Sequence, residues 1–96
     1  MTAYYITHRT SDGDTEIMRL YSSKVNATIE KYGGTKIVRS SIIKVIEGNW
    51  DPERMTIIAF PDMESLKNWY ESDEYADLKV MRQAVMTSNA IAVEGL

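Results

Sequence analysis

The run Met55-Thr56-Ile57-Ile58-Ala59-Phe60 constrains this chain more than any other. Its β-branched and aromatic residues favour a strand, and both sides of that strand are apolar. A strand with one wet face alternates apolar and polar residues, so this one needs cover on both. A second apolar run, Ile42-Ile43-Lys44-Val45-Ile46, precedes it. Between them lies Glu47-Gly48-Asn49-Trp50-Asp51-Pro52-Glu53-Arg54, where Asn49 and Asp51 favour turns and Pro52 cannot donate to a ladder. The pattern predicts extended segments at 42–47 and 55–60, with the loop folding one back towards the other.

The rest of the chain supplies the partners. Ala3–Arg9 is aromatic and β-branched and reads as a strand. Ser11-Asp12-Gly13-Asp14 provides a turn and a helix N-cap at Asp12 or Asp14. Ile17, Leu20, Tyr21, Val25, Ile29 and Tyr32 then recur at helical spacing, for about five turns. Gly33-Gly34 ends that helix, and Thr35–Ser40 is a second strand with a break or bulge at Ser40-Ser41. Pro61 stops the strand over 55–60, and Asp62 caps a helix that turns Met63, Leu66, Trp69 and Tyr70 inward. Ser72 restarts the helix, with Asp73 and Glu74 placed against its positive end and Tyr75, Leu78, Val85 and Met86 as its stripe. Residues 89–94 form the last strand. With no linker or low-complexity segment, residues 1–96 are expected to be one domain.

Strand, helix, strand, strand, broken helix, strand is the order of an α+β, ferredoxin-like βαββαβ fold with an antiparallel sheet. Its helices cover one sheet face only. The second apolar face of the strand over 55–60 therefore needs a cover that the chain does not supply. A second copy is the simplest, and most such assemblies are two-fold symmetric. The expected partner is the chain itself, pairing through the sheet face.

Composition narrows the function classes. A net charge of −3 offers no basic footprint for nucleic acid or an anionic membrane. No apolar run approaches the roughly 18 residues of a membrane span. The absence of cysteine removes disulfides, thiolate nucleophiles and thiolate metal sites, and fits a cytoplasmic setting. The opening residues, Met1 to Arg9, lack the basic-then-apolar order of a signal peptide. One histidine and scattered acids give no zinc constellation, and Asp12, Asp14 and Glu16 lack full calcium-loop spacing. Gly33-Gly34 follows a helix rather than opening one, so it is no phosphate loop. No metal and no cofactor is expected. The six methionines read as core filler.

Tyr32-Gly33-Gly34, Val38-Arg39, the run from Glu47 to Arg54, Phe60-Pro61, Trp69-Tyr70-Glu71-Ser72, Glu74-Tyr75, Arg82 and Val93-Glu94-Gly95 occur in that order. Together they resemble the bacterial family known as domain of unknown function 1330, over nearly the whole chain. The resemblance implies a ferredoxin-like fold paired face to face as a dimeric α+β barrel. That superfamily includes cofactor-free monooxygenases, lactone isomerases, dehydrochlorinase-like proteins and heme-handling enzymes, so fold alone selects no chemistry. Four positions depart from the family's pattern: Ala59 stands where an acid is common, Ser40-Ser41 where glycines are, and Asp73 where a proline is. A mechanism that needs a carboxylate at position 59 is unavailable to this chain.

Few residues stand out as carriers of chemistry. Helical spacing centres Arg82 on the apolar stripe of the last helix. It either snorkels or pairs with an acid such as Glu47, Asp51 or Glu94, or it presents a guanidinium to an anion in a cleft. Trp50 and Arg54 flank Pro52 and either pack over a sheet edge or form a pocket lip. Trp69 reads first as core, with a pocket wall as the alternative, and Arg39 is either an exposed charge or an interior one. His8, the only histidine, is the one candidate general base.

These readings support a homodimer that binds a small organic, possibly anionic, molecule in a cavity between sheet and helices, through Arg39, Trp50, Arg54, Trp69 and Arg82. The alternatives are a cofactor-free enzyme with His8 as base and Arg39 or Arg82 stabilising an anion, and a structural or regulatory dimer without a ligand.

Overall fold

In a computed structural model, residues 1–9 and 15–96 are described. The turn and the N-cap expected at 11–14 lie outside them. The order is β1 (Ala3–Arg9), α1 (Thr15–Lys31), β2 (Thr35–Ser40), β3 (Arg54–Phe60), α2 (Met63–Tyr70), α3 (Asp73–Val85) and β4 (Ser88–Glu94). The strands form one sheet in the order β2-β3-β1-β4, with every neighbouring pair antiparallel. This is the ferredoxin-like arrangement, with its second helix in two parts.

Local chemistry sets the joints. Gly33 takes φ +81° at the end of α1. Its N–H bonds Glu30 O at 3.0 Å, and the Gly34 N–H bonds Ile29 O at 2.9 Å, which is a Schellman ending. Gly34 also lies so close to the core that a Cβ there would stand 2.6 Å from Ile29 Cγ2 and 2.7 Å from Phe60 Cε1. Asp62 caps α2 through Ser65 N at 2.7 Å. Ser72 serves two helices at once: its hydroxyl donates to Trp69 O at 2.7 Å, ending α2, and accepts from Tyr75 N at 3.2 Å, opening α3.

The core lies between the helices and one face of the sheet. Trp69 and Tyr75 are fully buried, with ring centroids 4.3 Å apart, and Phe60, Tyr5, Val25, Ile29 and Leu66 surround them. Trp69 Nε1 donates to Thr28 Oγ1 at 3.1 Å, which satisfies its only polar atom. The inward stripe of α1 differs from the expected one: Leu20 is exposed, and Met18 and Ser22 instead join Tyr21, Val25 and Ile29 on the sheet side.

The opposite sheet face carries no helix among the described residues, and Trp50 from the β2–β3 connection stacks on it at His8. Cross-strand pairs Tyr4–Ala59, Ile6–Ile57, Ile6–Ile91, Tyr4–Val93 and Val38–Ile57 lie on it. Ile91 is 60% exposed and Val93 42%. Residues 42–47 do not form the expected strand. The β2–β3 ladder ends at Ser40–Met55, and the Ile42 N–H turns back onto Ser40 Oγ at 3.0 Å. That local bond takes a donor away from any ladder. Ile42 and Ile46 are almost fully exposed.

Candidate functional site

Between α1, α3 and the covered sheet face lies a cavity of about 460 Å³. Its floor follows from strand register. Tyr5, Thr7 and Arg9 alternate along β1 towards the helices, and they pair with Ile58, Thr56 and Arg54 of β3. β2 adds Lys36 opposite Ile58 and Arg39 opposite Thr56. Those two are three residues apart, and in a regular strand they would face opposite sides. A register shift between Lys36 and Val38 brings both to the cavity. α1 roofs the floor with Met18, Tyr21, Val25 and Ile29, α3 adds Arg82, and Met86 follows as the C-cap of α3.

The charge distribution is one-sided. The chain has five arginines, Arg9, Arg19, Arg39, Arg54 and Arg82, and all of them line this cavity, together with Lys36. Among the described residues that line it there is no carboxylate. A chain of net charge −3 has therefore gathered more than half of its eleven basic groups around one space. Guanidiniums stay ionised whatever their surroundings.

Their protein partners are neutral. Arg82, only 7% exposed, donates from Nη1 to Ser88 Oγ at 2.9 Å and from Nε to Tyr75 Oη at 3.4 Å. Of the alternatives the sequence left open for Arg82, the ion pair with Glu47, Asp51 or Glu94 is not formed among the described residues; its partners are the hydroxyls of Ser88 and Tyr75. Arg39 Nη2 reaches Ser22 Oγ at 3.5 Å and Arg54 Nε reaches Ser41 Oγ at 3.4 Å, both long. Arg9 Nε is buried with no hydrogen-bond partner among the described residues. Buried polar atoms are normally satisfied, so Arg9 keeps an unused donor in the lining of the cavity.

The phenols beside Arg82 are donors at neutral pH. Burial first, and then repulsion from Tyr75, push Tyr5 and Tyr21 well above the ordinary phenol range. Tyr21 and Tyr75 share a hydrogen bond of 2.8 Å. Burial, and then the Arg39 charge, push Lys36 below the ordinary lysine range. Chemically the cavity can hold and orient an anion, with guanidinium and phenol donors around an apolar interior. Among the described residues, no group of three metal-ligating side chains converges anywhere.

Of the residues singled out in the sequence, Arg39, Arg54 and Arg82 come together here. The other three do not. Trp69 is sealed in the core. Trp50, half exposed, stacks edge-on against His8 with centroids 5.4 Å apart. His8 pairs with Met55 and Asn89, so it sits on the bare face, with the sheet between it and the cavity. Its Nε2 lies 3.4 Å from Asn89 Nδ2. Sequence reasoning missed Arg9, Arg19 and Lys36. Alternation from Tyr5 through Thr7 to Arg9 was the available signal for the first. Lys36 had none, because its face depends on the shifted register.

With fold and cavity described, the chain joins the ferredoxin-like α+β proteins. Comparison with known proteins makes this specific: the family model described as Domain of unknown function (DUF1330) matches residues 2–96, and the chain belongs to that family. No curated protein matches it. Solved structures share the fold at low identity. A protein of unknown function from Rhodopseudomonas palustris has TM-score 0.77 and 16% identity, covering 99% of this chain and 82% of that one. A dimeric ferredoxin-like protein of unknown function from Jannaschia sp. has TM-score 0.78 and 10% identity, over 99% and 100%. SnoaB, a cofactor-independent oxygenase from Streptomyces nogalater, has TM-score 0.71 and 10% identity, over 99% and 93%.

Proposed function

We propose that this protein is a cytoplasmic homodimer, paired through the bare sheet face, in which each subunit binds a small organic anion in its basic cavity. The observation that carries the ligand reading is the convergence of every arginine of the chain on one space where no described lining residue is a carboxylate. Such a site repels itself when empty and is neutralised by an anion. Its size is that of small-molecule pockets, and its apolar walls suit an organic body. The dimer reading rests on the apolar sheet face, where Ile91, Val93 and Val38 stay exposed in the single chain. The Jannaschia protein of the same fold is described as dimeric. In the alternative, a cofactor-free enzyme, His8 would be the base. That reading draws no support from the geometry, because the sheet separates His8 from its own subunit's cavity.

Native mass spectrometry combined with thermal unfolding tests both parts. The expected mass is twice 11.0 kDa. Aromatic carboxylates should raise the unfolding temperature, and the matching neutral amides should not. A monomer would remove the dimer. Equal shifts with acids and amides would remove the anion site.

A further inference from the structure

Three of the guanidiniums form a closer group than the others. Arg9 and Arg54 are direct cross-strand partners, and Arg39 faces Thr56, two residues along β3 from Arg54. All three stand on the same face of three adjacent strands. Arg54 is a direct neighbour of Arg9 and a diagonal one of Arg39, within about 8 Å of each, so the long side chains of Arg9 and Arg39 can reach the space over Arg54 from either side. Among the described residues they hold little: two long bonds to serine hydroxyls, and a buried Arg9 Nε without a partner.

A carboxylate does not fill such a group. It carries one charge on two oxygens, and one arginine in bidentate geometry uses both. Three guanidiniums match a head with two charges and three terminal oxygens. Beyond the Thr7–Thr56 row the lining changes to Tyr5 and Ile58, under Val25 and Ile29, with Lys36 of the edge strand beside Ile58. A ligand seated here therefore meets three guanidiniums at one end and a mainly apolar wall, with one lysine beside it, at the other. A cavity of about 460 Å³ takes a small body and is too small for a two-chain lipid.

We infer that the ligand is a small phosphate monoester or phosphonate, with its dianionic head among Arg9, Arg39 and Arg54 and its apolar or aromatic body over Thr7 and Thr56. This rests on the anion-binding reading above and narrows it. The second ionisation of a phosphate monoester falls near pH 6. Among the described residues, the charged groups that line the cavity are Arg9, Arg54, Arg39 and Lys36 from the sheet, and Arg19 and Arg82 from the helices. None of these is a carboxylate or a histidine, so the ligand is the group that changes charge between about pH 5 and 7.5.

Calorimetric titration of the full chain with 1-naphthyl phosphate, 1-naphthyl sulfate and 1-naphthoate tests this. At about pH 7.5 the phosphate should bind at least about tenfold more tightly than the other two, a gap that one added charge among three guanidiniums can supply. The gap should close at about pH 5, where the phosphate is a monoanion, while the sulfate stays unchanged. Arg54→Met should weaken phosphate binding at least about tenfold and remove its advantage over the sulfate, with the far-ultraviolet circular dichroism spectrum unchanged. Phosphate and sulfate binding alike at pH 7.5 would overturn the inference and leave the anion site standing. Failure of all three anions to bind would overturn the anion site as well.

Discussion

Arg9 and Arg54 stand directly opposite one another across β1 and β3, both directed into the same cavity. Like charges in that position repel, at a cost of about 0.2–1 kcal/mol. No described carboxylate in the lining offsets the repulsion. The sheet around the pair is otherwise well made: Thr7–Thr56 and Tyr5–Ile58 continue the same ladder. A local conflict within a consistent fold is where function is expected.

Removing one member of that pair should therefore stabilise the empty protein. Arg54→Gln is expected to raise stability by about 0.5 kcal/mol, or roughly 2–4 °C in Tm for a domain of this size. The gain should shrink at high salt, which screens the repulsion already. Thermal unfolding at low and high salt reads both. Arg9→Gln combined with Arg54→Gln should give less than the sum of the single gains, because either change removes the same repulsion.

Ile91 lies on the bare face and is 60% exposed in the single chain. Ile91→Lys should leave the fold intact and abolish pairing, since a charge cannot be buried unpaired in an apolar interface. Light scattering after size exclusion should give the single-chain mass, with an unchanged far-ultraviolet circular dichroism spectrum. A variant that remains a dimer would place the interface elsewhere.

Ser72 joins two helices through one hydroxyl, and it is almost fully buried. Ser72→Ala removes the cap of α3 and leaves a buried N–H at Tyr75 unsatisfied. The expected loss is about 1–2 kcal/mol, read as a lower denaturation midpoint at unchanged m-value. Gly34→Ala should cost a similar or larger amount, about 1–3 kcal/mol, because its Cβ would push into Ile29 and Phe60.

Glu74 gives a pH prediction with a defined sign. Bonds from Lys31, from its own backbone and from Tyr32 hold its carboxyl down at about 2, against an ordinary 4.5. A carboxyl depressed on folding contributes stability above its unfolded pKa and loses it as pH falls through the folded one. Wild type should therefore exceed Glu74→Gln in stability at pH 6. The difference should fade between about 4.5 and about 2. The group is on the surface, so the effect is expected to be small and to weaken with salt.

The sequence by itself determined the elements and their order. Strand alternation, Gly33-Gly34, Asp62 and Ser72 act on their nearest neighbours, so they are legible wherever they stand. It also determined that one sheet face lacks a cover, because counting helices needs no coordinates. Apolar β-branched residues favour extension, so residues 42–47 have the local pattern of a strand. Only the tertiary structure shows that no neighbouring strand remains for them and that Ser40 bends the chain away. The convergence of the arginines is likewise tertiary. They lie on β1, α1, β2, β3 and α3, far apart in the chain, and cross-strand register decides which of them meet. For Lys36 and Arg39, one irregularity in β2 sets the face they share, and no local pattern in Thr35–Ser40 announces it.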